Sequence, residues 1–573
     1  SEEGVEALRT FRIPAGLRGS VFAAEPDVAN VVAIHIDHQG RVWACETFRQ
    51  SRGIEDNRGN DRWLDDDLSA QTVQDRYDYI LKHVPEAPQT YTAHDDRIRL
   101  LIDQDGDHVV DRATVFADRF NEVVAGTGAG VLSYRGDVFY TCIPDLWRLR
   151  DADGDGVADE RTSLHYGFGV RFAFRGHDMH GLTIGPDGRL YFSIGDRGYN
   201  VVAEDGRGVN PESGAVFRCE LDGSHLEVVA MGLRNPQELA FDDFGNLFTG
   251  DNNSDSGDQA RWVLVLPGGD TGWRMSYQYL PDRGPFNREK LWQPPHPGQP
   301  AYIVPCIRNF ADGPSGLTYY PGTGLSDDFK GRFLLCDFRG QASNSGIRSF
   351  RMVPKGAGFE MADEDQLFWN ILATDADFGP DGALYVADWV HGWEGLGKGR
   401  IYRFSNPELD GSAEIAEMQR LLNEGLEALD EERLTALLGH ADRRLRQEAQ
   451  FELVRRGNFE ALDGVARSRG STLSRVHAIW GLGQMARRDA RRDDVSETIA
   501  ETIRDRDPEV RAQSCAVMGE LDDLTYGDSL IRALADPAPR VRAYAAYAVG
   551  RLRYLRALDG VPIRTCVTPA SWR

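Results

Sequence analysis

The sequence predicts an all-β, six-bladed β-propeller over residues 20–405, followed by an α-helical solenoid of HEAT-like repeats over 406–555. Three observations predict it: a Gly-turn-and-strand phrase met six times, a change from period-two to helical patterning after Phe404-Ser-Asn-Pro, and a helical phrase met four times. Residues 1–19 are expected to form an N-terminal segment and 556–573 a C-terminal tail.

The strand phrase runs Gly40-Arg-Val-Trp-Ala-Cys, Gly136-Asp-Val-Phe-Tyr-Thr, Gly188-Arg-Leu-Tyr-Phe-Ser, Gly245-Asn-Leu-Phe-Thr-Gly, Gly331-Arg-Phe-Leu-Leu-Cys and Gly382-Ala-Leu-Tyr-Val-Ala. Each is a tight turn feeding an apolar, β-branched or aromatic run, the signature of a hairpin. Most spacings are about 50 to 60 residues, enough for one four-stranded blade per phrase, and a blade buries both faces only within a ring. The wider gaps after Gly40 and Gly245 hold Pro, Gly and Asp-rich insertions such as 293–300.

The helical phrase runs Leu445-Arg446-Gln-Glu-Ala449, Ser474-Arg475-Val-His-Ala478, Val510-Arg511-Ala-Gln-Ser514 and Val541-Arg542-Ala-Tyr-Ala545, a spacing of 29 to 36 residues. Asp507-Pro508 and Asp536-Pro537 precede two of them and suit helix starts. Stacked helix pairs supply binding surface more often than catalysis, so this region is expected to be a cap or a surface for a protein partner.

The 573 residues exceed a single domain several-fold. A net charge of −25 argues against nucleic acid or an anionic membrane as partner, since either calls for a basic surface. No stretch approaches the roughly 20 apolar residues of a membrane span. The first residue is Ser1 and not Met, which fits a removed leader and a periplasmic or secreted protein. The seven cysteines, Cys45, Cys142, Cys219, Cys306, Cys336, Cys515 and Cys566, are widely spaced and read as small buried hydrophobes, not as a disulfide or metal framework.

Three constellations carry chemistry. Asp103, Asp105, Asp107 and Asp111 share their spacing with Asp151, Asp153, Asp155 and Asp159. Alternate carboxylates about a Gly turn suit calcium, which takes six to eight oxygen ligands, although neither loop has a Glu at its twelfth position. The competing reading is a pair of acidic turns. Next, His177-Asp178-Met179-His180-Gly181 stands before a strand at the channel mouth, where a histidine serves as general base or metal ligand. Third, Arg234-Asn235-Pro236-Gln237 offers a planar donor fork with neutral amides. The oxygen-rich run that follows, with Asn253, Ser254 and Asp258, resembles a further calcium loop.

At these residues the sequence resembles the soluble quinoprotein glucose dehydrogenases and aldose sugar dehydrogenases, six-bladed propellers that bind pyrroloquinoline quinone (PQQ) and calcium. The likeness rests on His177 before Ile-Gly-Pro-Asp-Gly, on Tyr-Phe-Ser-Ile-Gly-Asp-Arg-Gly, on Gly-Leu-Arg-Asn-Pro-Gln and on the Asp251 to Asp258 loop. It implies that His177 takes the sugar hydroxyl proton as hydride passes to the quinone, with Arg234 and Asn235 on the quinone and calcium on the loop. Gln237, Arg339 and Asp388 complete the expected cofactor-contacting set. From residue 20 to 555 the sequence is also similar to PVC-type membrane-bound dehydrogenases, in which such a propeller precedes HEAT repeats, through Ala44-Cys-Glu-Thr-Phe-Arg-Gln, Gly250-Asp-Asn-Asn-Ser-Asp and Ala387-Asp388-Trp389.

One departure is clear. The quinoprotein dehydrogenases set a lysine and arginines against the quinone carboxylates in their last blades, whereas Ala373-Thr-Asp-Ala-Asp377 is acidic, leaving Arg339, Lys398 or Arg400 to substitute. With no Cys-x-x-Cys-His haem site in the sequence, the electron acceptor is expected to be another molecule, such as a cytochrome c. The leading expectation is therefore a PQQ- and calcium-dependent sugar or alcohol dehydrogenase. The alternatives are a polysaccharide lyase or glycoside hydrolase using His177 or His180 with Arg234 and Asp388, and a non-catalytic scaffold for glycan or protein.

Overall fold

A computed structural model describes residues 1–552 except 51, 55, 205, 297, 300, 489, 490 and 522. The expected tail, with Cys566, and the end of the helical region lie outside the described residues.

Six sheets form the propeller, each with four antiparallel strands, and the third adds a short parallel strand, Gly269–Asp270, at its edge. Their innermost strands are Val31–Ile36, Gly130–Tyr134, Met179–Ile184, Pro236–Phe241, Pro314–Tyr319 and Ala373–Phe378, which open blades 1 to 6 in chain order. The strand Arg18–Ala24 pairs with Arg400–Ser405 and becomes the outermost strand of blade 6, so the ring closes between the two ends of the propeller sequence. The N-terminal segment is packed on that closure: Gly4 O accepts from Tyr402 Oη at 3.3 Å, and Arg12 pairs with Trp369 of blade 5.

The recurring glycines explain the recurring phrase. Gly40, Gly136, Gly188, Gly245, Gly331 and Gly382 all sit at φ between 72° and 86°, in the turn from the first to the second strand of each blade. Only glycine enters that region without cost. The strands after them are buried on both sides and fill the cores between neighbouring blades, as with Phe192 and Phe217, whose rings stack 5.3 Å apart.

Nine described helices from Ala413–Glu424 to Pro539–Arg551 form the second region. The arginine of the helical phrase has a fixed task. Arg446, Arg511 and Arg542 each donate to backbone carbonyls of the preceding turn, such as Asp505 O at 2.7 Å from Arg511 and Asp536 O at 2.7 Å from Arg542, and Arg475 to Ala466 O in the last turn of the preceding helix. The residue before three of them, Leu445, Val510 and Val541, is fully buried in the helical core. Asp507 caps its helix as expected, donating nothing and accepting from Glu509 N at 2.9 Å. Asp536 does not: its carboxylate binds Arg511 at 2.8 and 2.9 Å, and the next helix starts at Pro539, later than Asp536-Pro537 suggests.

The helices close one end of the propeller channel. Glutamines and arginines on their facing side donate to the first-to-second-strand turns: Gln450 and Gln484 to Pro186 O at 2.7 and 2.9 Å, Gln513 to Phe244 O at 2.7 Å, and Arg444 to Phe378 O and Gly379 O at 3.0 and 2.9 Å. Arg189 and Arg218 of blade 3 meet Glu520 at 3.0 and 2.9 Å. Beneath Arg443, Arg444 and Glu448 the channel keeps a cavity of about 230 Å³, lined by inner strands of all six blades and by the carboxylates of Glu238, Asp375 and Asp377. The other end of the channel is therefore the open candidate for chemistry.

The six described cysteines are free, and five are buried, as small core hydrophobes.

Candidate active site at the channel mouth

Blade 3 brings its first residues to the end of the channel away from the helices. His177 precedes the inner strand by two residues, and Asp196 follows the second strand, Leu190–Ile194. Gly195 lies between them: a Cβ there would come within 2.7 Å of His177 O, so glycine lets the two segments close. As a result His177 Nδ1 lies 2.6 Å from Asp196 Oδ1. The other carboxylate oxygen accepts from Trp273 Nε1 at 2.7 Å.

Both side chains are buried, His177 with 3% of its surface exposed and Asp196 with none. Burial would raise the Asp196 carboxyl, but His177, Arg234 and the Trp273 indole hold it below the usual carboxylate range. An ionised carboxylate on Nδ1 fixes one tautomer and leaves Nε2 as the basic nitrogen.

The carbonyl of Gly176 holds His177 from behind. It accepts from His180 Nε2 at 3.1 Å, Asn235 Nδ2 at 3.1 Å and Gln237 Nε2 at 3.5 Å. Three residues expected at the chemistry thus converge on the peptide preceding His177. Since a carbonyl only accepts, His180 Nε2 carries its proton, and burial pushes the His180 imidazole to lower pKa, toward the neutral form. Among the described residues Asn235 keeps a buried Oδ1 with no hydrogen-bond partner, 2.9 Å from where a Cβ on Gly195 would stand.

Asp178 faces away from this pair. It is fully buried beside Gly126, 3.2 Å from the Nε of Arg197, whose guanidinium lies over the Phe172 ring, and acts as an internal counter-charge.

Arg234 lies between two rings, 5.6 Å from the centroids of both Phe174 and Trp273. It donates to Asp255 at 2.7 Å and to the carbonyl of Asn253, and the Gln278 amide, with its oxygen turned inward, accepts from Nε at 2.6 Å. Asp251 receives the backbone N–H of Arg234 and Asn235 at 2.9 and 2.8 Å and pairs with Arg261.

The run after Asp251 differs from a calcium loop. Ser254 O accepts from Arg283 Nε at 2.7 Å, Asp258 accepts from Ser254 N and Oγ, and the Asn253 carbonyl accepts from Arg234. Guanidinium groups thus meet the oxygens of Asn253 and Ser254, which the sequence assigns to a metal.

The two acidic loops are congruent. Asp103, Asp105 and Asp111 bring one carboxylate oxygen each within 4.8 Å of one another, and Asp151, Asp153 and Asp159 do the same. Asp107 and Asp155 accept from Val109 N and Val157 N, each at 2.8 Å. Both loops join the outer two strands of a blade, and each ties to the previous blade: Val110 N donates to Phe22 O at 2.9 Å and Ala158 N to Phe116 O at 2.8 Å.

The expected substitutes for the missing basic residues are placed elsewhere. Lys398 and Arg400 bind Glu3 near the closure of blade 6. Asp388 pairs across the strands with Ala373 and Arg400, accepts from Val390 N at 3.0 Å, and is pushed up to about 6 by burial. Arg339 reaches the rim, paired with Asp337 at 2.8 Å and Asp312 at 3.6 Å.

The cations at the mouth come from insertions. Arg58, in the blade 1 insertion between Val42–Glu46 and Asp96–Ile102, lies 4.4 Å over the Phe174 ring and pairs with Asp56. Arg283 comes from an insertion between the third and fourth strands of blade 4, Arg261–Leu264 and Arg308–Asn309, and Arg175 from the segment leading to His177. The blade 1 insertion lies against that segment, with Trp63 stacked 5.1 Å from Phe172 and Asn57 N donating to Ala173 O at 3.1 Å.

A family model described as "Domain of unknown function (DUF7133)" matches residues 3–393, and one described as "HEAT repeats" matches 495–561. Among curated proteins, the quinoprotein glucose dehydrogenase B of Acinetobacter calcoaceticus is 30% identical over 135 residues, 19% of this chain and only 28% of that relative. Among solved structures, the PQQ-bound aldose sugar dehydrogenase of Streptomyces coelicolor is 17% identical, with 69% of this chain and 99% of that one covered at a TM-score of 0.40. The holo PQQ domain of pyranose dehydrogenase from Coprinopsis cinerea is 11% identical, with 69% and 97% covered at 0.41. The six sheets described above carry the fold without these superpositions.

Proposed function

The chain belongs to the DUF7133 family, and we propose that this member is a PQQ-dependent dehydrogenase of sugars or alcohols in which His177 is the base. The observation that carries the proposal is the His177–Asp196–Trp273 chain, 2.6 and 2.7 Å long, which leaves His177 Nε2 with no partner inside the protein among the described residues. The aligned stretch of the curated quinoprotein supports the same reading.

The mouth fits the chemistry of a planar, polycarboxylate quinone. In a chain of net charge −25 it sets Arg58 and Arg234 on the Phe174 ring, with Arg175 next in sequence and Arg283 bound to the Ser254 and Gln278 carbonyls, and among the described residues it holds an unpartnered Asn235 Oδ1 beside His177. Arg58, Arg175 and Arg283 would receive carboxylates, while Arg234 and Asn235 would face the ring system. The quinone, when bound, supplies the hydride acceptor.

The protein does the rest. Asp196 orients the imidazole, Nε2 takes the substrate hydroxyl proton, and the resulting imidazolium is stabilised by the carboxylate already on Nδ1. His177 is only 3% exposed, with the Phe174 ring 6.1 Å from the imidazole and Arg58 over that ring, so substrate access to Nε2 would need a shift of the side chains around it. Calcium belongs to the two acidic loops, where it would brace blades 1 and 2 against their predecessors; the Asn253, Ser254 and Asp258 oxygens, taken up within the protein, do not fit a further ion. An external electron acceptor and a periplasmic or secreted setting go with this reading. Among the described residues no helix is long and apolar enough to cross a membrane.

The lyase or hydrolase alternative needs His177 or His180 with Arg234 and Asp388 on one substrate. His180 is turned to Gly176 O, and Asp388 ends the second strand of blade 6, whereas His177 and Arg234 precede the inner strands of blades 3 and 4.

Equilibrium titration with PQQ tests the proposal. Micromolar or tighter binding is expected, weakened more than about tenfold in the double variant Arg58→Ala, Arg283→Ala. No binding at micromolar quinone would end it.

A further inference from the structure

We propose that Trp393 is a stacking platform for a second sugar ring, so that the mouth prefers an oligosaccharide or a chain end over a free monosaccharide. This rests on the reading of His177 as the base and adds a substrate class to it.

A single exposed apolar side chain is ordinary on a protein surface. Trp393 differs in being both exposed and fixed. It is 61% exposed, yet Gly340 holds one part of the indole: a Cβ on Gly340 would come within 2.4 Å of Trp393 Nε1. Gly340 stands at φ 72°, a region where glycine alone is unstrained, and its carbonyl accepts from Gly392 N at 3.0 Å. Phe338 supports the indole edge to face, with centroids 5.2 Å apart. A rigid aromatic face open to solvent offers contact area with little entropy left to lose on binding.

Two chains of contacts place this face at the mouth. On one side Glu394, the next residue, lies 3.5 Å from Arg175, two residues before His177. On the other, Arg339, beside Gly340, pairs with Asp312, and Asp312 O accepts from Asn253 Nδ2 at 2.9 Å in the loop bound by Arg234. The indole is thus tied to both the base segment and the Arg234 loop. Glu394, Arg175 and Arg339 add charged donors and acceptors around the ring, the mix that recognises a pyranose by its apolar face and its hydroxyl edge.

The test is calorimetric titration of the full chain, with and without PQQ, using glucose and the cello- and malto-oligosaccharides of two to six units. Affinity is expected to rise about tenfold from one ring to two or three. Trp393→Ala is expected to abolish that rise and leave monosaccharide affinity within about twofold, while Trp393→Phe keeps part of it. Trp393 is exposed, so its replacement leaves the core intact, and Gly340→Val, which displaces the indole, is a second route to the same loss. A flat length dependence in the unaltered protein, a rise that survives Trp393→Ala, or no saccharide binding would overturn the proposal. Binding is read without turnover, so failure of the platform and failure of the dehydrogenase reading are separable.

Discussion

Asp196→Asn should slow the proposed reaction while leaving the quinone bound. In the native site the Asp196 carboxylate lies 2.6 Å from His177 Nδ1 and is itself held by Trp273 Nε1 at 2.7 Å, both in a buried setting. A hydrogen bond to a charged group contributes about 1.5–3 kcal/mol, and each 1.4 kcal/mol is about tenfold in rate. Replacing the carboxylate by an amide removes that stabilisation of the imidazolium and can present an N–H to Nδ1. The fall in kcat/KM for the preferred aldose is therefore expected to be about 10- to 150-fold. Trp273→Phe, which removes one neutral donor from Asp196, should cost about fivefold, near 1 kcal/mol. Neither residue is placed on the quinone, so its Kd should stay within about threefold. The assay is dye reduction by PQQ-loaded protein, with quinone affinity titrated separately. An Asp196→Asn rate within twofold of the unaltered protein, or a rate loss matched by an equal loss of quinone affinity, would refute the reasoning.

Other consequences are testable on stability. Chelation should lower Tm by a few degrees, since a ligand at 100 times its Kd contributes about 2.7 kcal/mol; calcium should restore it, and Asp103→Asn and Asp151→Asn should each remove one bound calcium, as read by native mass spectrometry. Glu520→Ala removes a carboxylate shared by Arg189 and Arg218, which keep Asp187 and Glu227, and should cost about 1.5–3 kcal/mol of unfolding free energy. Acid should weaken the same junction: although burial alone would raise Asp187, its arginine neighbours lower it to about 2, so its contribution is complete above the unfolded value near 3.9 and is lost as pH falls toward 2. Glu238 has the opposite sign. Burial and Asp375 raise its carboxyl well above the ordinary value, so the folded state loses stability as pH rises from the unfolded value; Glu238→Gln should gain Tm at pH 8 relative to pH 4, and equal shifts at both would contradict this.

The fold was legible because its devices are local. A glycine at positive φ is required once per blade at one turn, and one arginine per helical repeat closes one turn, so both leave a mark at fixed spacing. The acidic loops were legible for the same reason, as their oxygens lie within nine residues. The site was only half legible. His177, Arg234 and Asn235 stand in short phrases, but Asp196 is 19 residues from its histidine and becomes its partner only when two blade 3 strands pair. The Ile-Gly-Asp phrase that carries it was the one available signal. Trp273, Arg58 and Arg283 lie in irregular insertions, whose position over the mouth follows from packing such as Trp63 on Phe172 and not from any period. Lys398 and Arg400 stand in the last blade in sequence, where a basic substitute is expected, yet in the fold they bind Glu3 at the outer closure.

The most direct test mixes PQQ-loaded protein with an aldose or alcohol panel in the absence of oxygen and follows the quinone absorbance, with His177→Ala alongside. The account predicts rapid bleaching by at least one substrate in the unaltered protein and, in His177→Ala, quinone binding of similar affinity with bleaching slowed at least about a hundredfold, the contribution typical of a general base. Bleaching at equal rates in both proteins, or no quinone bound to either, would contradict it.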